Sequence, residues 1–175
     1  MQLSLVASLT KDSLKNRVDE TKDVISDAIK EVRGLSKVLN SEVISNFGLQ
    51  QSIKNEIDRL NKLKKIYAHF NVDGEAKKIN SKDAIILFRI FQEFITNSIK
   101  YANAKNFSVQ LSYHINNVVI SAKDDGKGFD ENQVEKGSGL INMKDRARLI
   151  NTKYILKSKP NEGTELKLVY PLNQY

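Results

Sequence analysis

Residues 81–102 read SKDAIILFRIFQEFITNSIKYA and contain neither glycine nor proline. Successive residues of an α-helix are about 100° apart, so Phe91 lies on one face while Glu93 and Asn97 lie on the opposite face. Glu93, Asn97 and Lys100 follow one another at helical spacing and form a narrow polar column on an otherwise apolar segment. The stretch therefore predicts a helix that is buried on one side and forms a polar wall of a pocket on the other.

The chemistry of this column favours a hydrated cation together with phosphate groups. The amide oxygen of Asn97 can ligate Mg²⁺, Lys100 can neutralise a phosphate and Glu93 can accept a proton. Tyr101 lies on the same face. Taken alone, the helix is equally compatible with an ordinary solvated face that carries these residues incidentally.

Glycine placement decides between these two interpretations. The chain has eight glycines, and five of them lie in three short loops that read DDGKG (124–128), GSGL (137–140) and GT (163–164). Glycine exposes backbone N–H donors and allows a ligand to come close to the main chain. The second loop directly precedes a predicted helix, whose N-terminus attracts phosphate. Asp124 ends a predicted strand and can accept a hydrogen bond from the exocyclic amine of a base.

The flanking sequence predicts two domains, at residues 1–45 and 46–175. Residues 1–33 lack glycine and proline, and apolar positions from Leu14 to Leu39 repeat at alternating spacings of four and three. This pattern is typical of a helical bundle, formed by one long helix or by a helical hairpin, and it favours self-association.

The second domain is predicted to be α+β. Hairpins, rather than crossovers between parallel strands, indicate a mainly antiparallel sheet with helices on one face. Ser81 is the predicted cap of the polar-column helix, and Asn116-Asn117 the predicted hairpin turn. The other elements expected are a helix at 48–63, strands at 64–72, 107–113 and 118–125, a helix at 139–151, and a hairpin of TKYILKS and ELKLVYP.

Composition excludes several other classes. The formal net charge is +7, but residues 1–80 carry 14 Lys+Arg and 11 Asp+Glu while residues 81–175 carry 14 and 10, so the excess is spread along the chain and disfavours nucleic acid as a partner. There is no cysteine and there are two histidines, which excludes thiolate chemistry and a multi-histidine metal site. No apolar run approaches the ~20 residues that a membrane span needs, and no secretory signal is apparent.

Three quoted motifs resemble a known family. FQEFITNSIKYA (91–102), DDGKGF (124–129) and GSGL (137–140) are similar to the N, G1 and G2 boxes of the GHKL ATPases, a group that includes sensor histidine kinases, Hsp90, MutL-type repair proteins and type II topoisomerases. The run as a whole, including EVRGLSKVLNSEVISNFGLQQSI (31–53), most resembles sensor histidine kinases of the NarL/DesK type. The resemblance implies a GHKL α/β sandwich with a mixed, mainly antiparallel sheet behind an N-terminal dimerisation bundle.

The resemblance also implies a role for each motif residue. Glu93 would be the catalytic carboxylate that assists proton removal from the phosphate acceptor, and Asn97 would ligate Mg²⁺ between the phosphates of ATP. Lys100 would contact phosphate oxygens, and Tyr101, where histidine is common, would line the nucleotide site. Asp124 would bind the adenine amino group. The remaining implied ATP-binding residues are Gly126, Gly128, Gly137, Gly139, Leu140 and Thr164.

This sequence departs from the family pattern in two motifs. Asp125 replaces the common asparagine of the G1 box, and Leu149-Ile150-Asn151 replaces the usual ending of the G2 helix. The short segment between Gly128 and Gly137 implies a small lid over ATP. Neither replacement is expected to prevent nucleotide binding.

The phosphoacceptor box of the family, HD-x-x-x-Q, has no counterpart in these 175 residues. His69 is expected in a strand and His114 beside a hairpin turn, so neither has the acceptor context. The resemblance implies a kinase truncated just after that box, which binds Mg·ATP but does not phosphorylate itself.

The resemblance further implies a homodimer through the N-terminal helices, a response-regulator receiver domain as partner, and a cytoplasmic location with membrane attachment only through upstream regions. Two alternatives remain open at this point. They are a serine kinase of the anti-sigma type and a non-catalytic dimeric GHKL adaptor.

Overall fold

The computed structural model describes Thr21, Ile44 and residues 48–64, 66–130 and 138–172. The described residues from Ile44 onward belong to one compact unit, Val43–Tyr175. Apart from Thr21 and Ile44, the predicted dimerisation helices of residues 1–45 lie outside the described residues. The division of the chain at residue 45 therefore stays a prediction.

Three helices and five strands make up the described fold. The strands form one sheet in the order β1-β2-β3-β5-β4. Helix α1 spans residues 48–62. The other elements are β1 Tyr67–Asp73, α2 Ser81–Lys100, β2 Asn106–Tyr113, β3 Asn117–Asp124, α3 Ser138–Leu149, β4 Lys153–Ser158 and β5 Thr164–Pro171.

The sheet is mixed and mainly antiparallel, as the resemblance implied. The pairings of β2 with β3, β3 with β5 and β4 with β5 are antiparallel, as predicted. However, β1 pairs with β2 in parallel, from Tyr67 opposite Asn106 to Asp73 opposite Ser112. Parallel neighbours need a long crossover connection, and α2 supplies it. The expectation of hairpins rather than crossovers was wrong for this one pair of strands, because alternating polarity predicts strands without predicting their direction.

Two local boundaries also differ from the prediction. The side chain of Asn80, rather than that of Ser81, caps α2 by accepting a hydrogen bond from the backbone N–H of Lys82 at 2.9 Å. The turn between β2 and β3 is closed by His114, whose N–H donates to the carbonyl of Asn117 at 2.9 Å. Asn117 is therefore the first residue of β3.

The core lies between one face of the sheet and the three helices. Alternate residues of β2, β3 and β5 are buried, as expected for strands with one covered face. Phe107 of β2 packs its ring against Phe94 and Phe91 of α2, with ring centroids 5.7 and 6.3 Å apart. Burying each such ring contributes about 1.5–3 kcal/mol to folding, so these contacts hold α2 firmly on the sheet.

Among the described residues, no helix combines the length and apolar character needed to cross a bilayer.

Candidate nucleotide site

A cavity of about 490 Å³ opens beside α2, on the helix-covered side of the sheet. Its wall includes Glu93 and Asn97 of the predicted polar column, together with Tyr101 on the same helix face. They face the cavity because the opposite side of α2, with Phe91 and Ile95, is buried in the core. One helix thus joins the core to the site.

Lys100, the third residue of the predicted column, does not line the cavity. It is exposed at the last residue of α2.

The first turn of α3 closes the cavity opposite Glu93. A β-carbon built on Gly139 would lie 2.6 Å from Oε1 of Glu93 and 3.6 Å from Nδ2 of Asn97. A side chain at this position would displace the Glu93 carboxylate, so glycine leaves that carboxylate in its place on the cavity wall. Glycine also leaves the positive N-terminal end of α3 facing the same space as Glu93 and Asn97, where a phosphate group is favoured.

Asp124 occupies the opposite end of the cavity, at the end of β3, and is only 2 % exposed. Its Oδ1 accepts hydrogen bonds from the N–H groups of Gly126 at 2.9 Å and Thr164 at 3.2 Å. Its Oδ2 accepts one from the hydroxyl of Ser98 at 2.7 Å. A buried carboxylate needs such partners. Because each oxygen has two lone pairs, Oδ2 keeps room for one more donor from a ligand.

The β4–β5 hairpin packs against Asp124 and helps to hold its carboxylate in place. Gly163 has a φ of +78°, and a β-carbon there would collide with the backbone oxygen of Asp124. The hydroxyl of Ser158 contacts that of Thr164 at 3.0 Å and accepts a hydrogen bond from the N–H of Phe129 at 2.9 Å. Ser158 thus ties the hairpin to the chain segment that leads out of the DDGKGF motif.

The predicted glycines have different roles. Gly128 lines the cavity with a φ of +55°. Gly126 does not line it; a β-carbon there would lie 2.5 Å from that of Ala102, so Gly126 lets the loop pack against the end of α2. Gly139, together with Leu140 and Thr164, lines the cavity as expected. Gly137 lies outside the described residues.

Asp125, the departure from the family motif, stabilises a neighbouring loop. Its Oδ1 accepts hydrogen bonds from the N–H groups of Lys105 and Asn106, both at 2.8 Å, and its Oδ2 accepts one from the side-chain amide of Asn106 at 2.6 Å. These bonds, the Asn106 backbone bond first among them, lower the pKa of the Asp125 carboxyl below its ordinary value.

Six lining residues were not singled out from the sequence. Ser98 follows Asn97 directly, and its small hydroxyl gives no periodic signal in a helix. Phe129 belongs to the quoted DDGKGF motif, so its position after Gly128 could have indicated it. The six are Phe94, Ser98, Ala102, Lys127, Phe129 and Leu156.

In the described part of the chain, no cluster of three or more histidine, cysteine, aspartate or glutamate side chains could hold a metal ion by itself. Asn97 and Glu93 nevertheless place oxygen atoms one helical turn apart on the cavity wall. Mg²⁺ is usually held by one or two protein oxygens together with substrate phosphates and water, so these residues fit a metal that arrives with a nucleotide.

A two-layer α/β sandwich whose cavity is lined by two carboxylates, an asparagine and glycines is typical of a nucleotide-binding protein, and comparison with known proteins specifies the class. Residues 82–174 match the family described as histidine kinase-, DNA gyrase B-, and HSP90-like ATPase. The chain belongs to this ATPase family, which confirms the sequence prediction and implies ATP as the ligand of the cavity.

Curated relatives and solved structures agree with this assignment. The chain is 27 % identical over 94 % of its length to the signal transduction histidine-protein kinase/phosphatase DegS of Brevibacillus brevis. It is 27 % identical over 93 % of its length to the oxygen sensor histidine kinase NreB of Staphylococcus carnosus. It covers 46 % and 47 % of those proteins, about half of their length.

The fold itself resembles that of a solved light-activated kinase. The histidine kinase domain of the blue-light activated histidine kinase of Erythrobacter litoralis EL346 superposes with a TM-score of 0.56 at 16 % identity, over 71 % of this chain and 65 % of that one. A longer structure of the same kinase gives 0.58 at 17 % identity, over 72 % of this chain and 46 % of that one. At such identities the likeness shows the fold alone, and it confirms the predicted α+β sandwich.

Proposed function

We propose that this chain binds Mg·ATP and forms the catalytic region of a sensor histidine kinase, which transfers the γ-phosphoryl group to a histidine and then to an aspartate of a response regulator. The two unlike ends of the cavity carry this proposal. Buried Asp124 stands at one end, and Glu93, Asn97 and the N-terminus of α3 stand at the other. A nucleoside triphosphate has the same asymmetry, with an amine-bearing base at one end and phosphates at the other.

The base end recognises adenine through Asp124. Three hydrogen bonds hold its carboxylate still, and the free acceptor capacity of Oδ2 suits the exocyclic amine. A guanine base presents a carbonyl oxygen at the corresponding position, and an oxygen facing this carboxylate would be repelled. The site therefore selects ATP over GTP.

The phosphate end positions the reacting group. Asn97 and the backbone N–H groups at the start of α3 hold phosphate oxygens, and a bound Mg²⁺ would neutralise part of their charge. In the transfer, an imidazole nitrogen bonds to the γ-phosphorus, the bond from that phosphorus to the bridging oxygen breaks, and ADP leaves. Glu93 takes the proton that the imidazole loses. Such reactions depend mainly on positioning and charge neutralisation.

The acceptor histidine comes from outside the described domain. His69 lies on β1, on the sheet face that points away from the helices and the cavity. His114 follows β2 at the end of the strands opposite Asp124. In this proposal residues 1–45, which contain no histidine, belong to dimerisation helices that bring two copies together, and the acceptor histidine is supplied from outside residues 1–175.

The alternatives make different chemical predictions. An anti-sigma-type kinase would label serine, whereas an adaptor would bind ATP without transfer. The histidine kinase relatives match this chain over 93–94 % of its length, including the part before the ATPase family match. This match supports the histidine kinase proposal over the two alternatives.

Two measurements test the proposal. ATP with Mg²⁺ should raise the melting temperature of the chain, because a ligand of the native state stabilises it by mass action, while GTP should have little effect. With γ-labelled ATP and a histidine-bearing helical acceptor supplied in trans, label should appear on the acceptor as an acid-labile, alkali-stable phosphate. It should be absent from this chain alone and should be lost in Glu93→Gln, which should still bind ATP. Acid-stable label, or no thermal response to ATP, would contradict the proposal.

A further inference from the structure

We propose that Lys127, a residue without an assigned role, is the cation that contacts the α-phosphate of the bound nucleotide. This inference rests on the proposed function, since it concerns the same cavity. Lys127 lines that cavity, whereas Lys100, the lysine expected from the sequence to contact phosphate, does not.

The backbone of Lys127 is fixed at the mouth of the cavity. Its N–H donates to the carbonyl of Ala102 at 2.9 Å, and its carbonyl accepts from the N–H of Asn161 at 2.6 Å. The first contact ties it to the end of α2 and the second to the β4–β5 hairpin. Gly128, the next residue, adopts a φ of +55° that holds the turn in place. These contacts fix the backbone of Lys127 beside the cavity, so its exposed side chain is anchored at that point.

The charged residues that line the cavity single out Lys127. Two carboxylates, Glu93 and Asp124, line the cavity, and Lys127 is the one positively charged side chain among its described lining residues. No ion pair found in the described ranges involves the Lys127 ammonium group. A polyanionic nucleotide entering between two carboxylates is attracted by this free point charge.

The position along the cavity selects the α-phosphate. Glu93 and Gly139 mark the end where the γ-phosphate reacts. The last residue of α2, Lys100, is seven residues after Glu93, which is about 10 Å at a rise of 1.5 Å per residue, and Ala102 follows two residues later. Lys127 is bonded to the Ala102 end, near the Asp124 carboxylate that takes the base. The phosphate closest to a bound base is the α-phosphate, which lies within reach of a four-carbon lysine stem.

The test compares nucleotides that differ only in their phosphates. Calorimetric dissociation constants for adenosine, AMP, ADP and ATP should be measured for the wild type, Lys127→Gln and a control, Lys123→Gln, whose side chain lies on the open sheet face. We expect K127Q to lower the affinity for AMP, ADP and ATP by a similar factor, about fivefold, and the affinity for adenosine by less than twofold. Lys127→Arg should restore most of the phosphate-dependent affinity, and K123Q should match the wild type.

Several outcomes would overturn the inference. Equal weakening of adenosine and AMP would mean that Lys127 shapes the base pocket instead. A lower affinity for ATP with an unchanged affinity for AMP would assign the Lys127 contact to the β- or γ-phosphate. A loss of nucleotide affinity in Lys100→Gln with none in K127Q would assign the phosphate contact to Lys100. A wild type that binds no adenine nucleotide would refute the proposed function together with this inference, whereas a wild type that binds ATP and a K127Q unchanged for AMP would refute the inference alone.

Discussion

Two consecutive aspartates, Asp124 and Asp125, show how neighbouring residues of the same chemistry acquire different tasks. Asp124 is buried at the end of the cavity, while Asp125 is exposed and binds the backbone of the loop at 105–106. Adjacent residues at the end of a strand point to opposite sides of the sheet. The helix-covered side makes the first carboxylate a ligand-binding group, and the open side makes the second a loop anchor.

The substitution Asp124→Asn is the most direct test of the different tasks of the two aspartates. The amide keeps the shape of the carboxylate but replaces one acceptor oxygen with a donor, which must then face either a protein donor or the adenine amine. We expect ATP affinity to fall about a hundredfold, equivalent to about 2.7 kcal/mol. Titration calorimetry against Asp125→Asn measures the effect, and similar losses in both variants would refute the division of tasks.

Ser98→Ala should produce a smaller loss at the same site. The hydroxyl of Ser98 fixes Oδ2 of Asp124 at 2.7 Å, so its removal leaves that oxygen less precisely oriented while the two bonds to Oδ1 remain. We expect ATP affinity to fall about fivefold and the free energy of unfolding to fall by about 1 kcal/mol. Ser98→Thr is the matched control because it retains the hydroxyl, although a β-branched residue at this buried position adds a methyl group. An affinity equal to that of the wild type in Ser98→Ala would exclude an orienting role.

Asp125→Asn should have the smallest effect, confined to stability. Hydrogen bonds from Asn106 and Lys105 lower the pKa of the Asp125 carboxyl, so its stabilising contribution is fully present above the unfolded pKa of about 3.9 and is lost as pH falls through the lower folded pKa. The wild type should exceed the variant by less than about 1 kcal/mol at neutral pH, and this difference should shrink below about pH 4. Denaturant unfolding at several pH values checks it; a difference that grows toward acid pH would contradict the assignment.

Much of the site was predictable because it depends on local spacing. The helical period placed Glu93, Asn97 and Tyr101 on one face, and the strand ending at Asp124 placed its carboxylate beside a glycine-rich turn. These are short-range consequences of the chain, so they need no knowledge of what packs against what. The apolar faces of α1 and α2 were predictable for the same reason.

The lysine that lines the cavity could not be predicted from local spacing, which indicated Lys100 rather than Lys127. Lys100 belongs to the helical column in the sequence but does not line the cavity. Lys127 lines the cavity instead, on a loop that is hydrogen-bonded to Ala102. Which lysine reaches the cavity depends on how that loop is held by α2 and by the β4–β5 hairpin. Contacts between segments distant in sequence leave no periodic pattern.

The sequence alone determined the α+β class, the amphipathic α2 and the glycine loops, because backbone propensity and side-chain period are local properties. Only the tertiary structure decided that β1 runs parallel to β2 and that Lys127 borders the cavity. It also decided that Asp124 accepts hydrogen bonds from Ser98 and Thr164, while Asp125 accepts one from Asn106. The physical reason is that strand direction and the partners of a buried charge depend on which distant segments meet. Their meeting is settled by packing and by the need to satisfy every buried polar group.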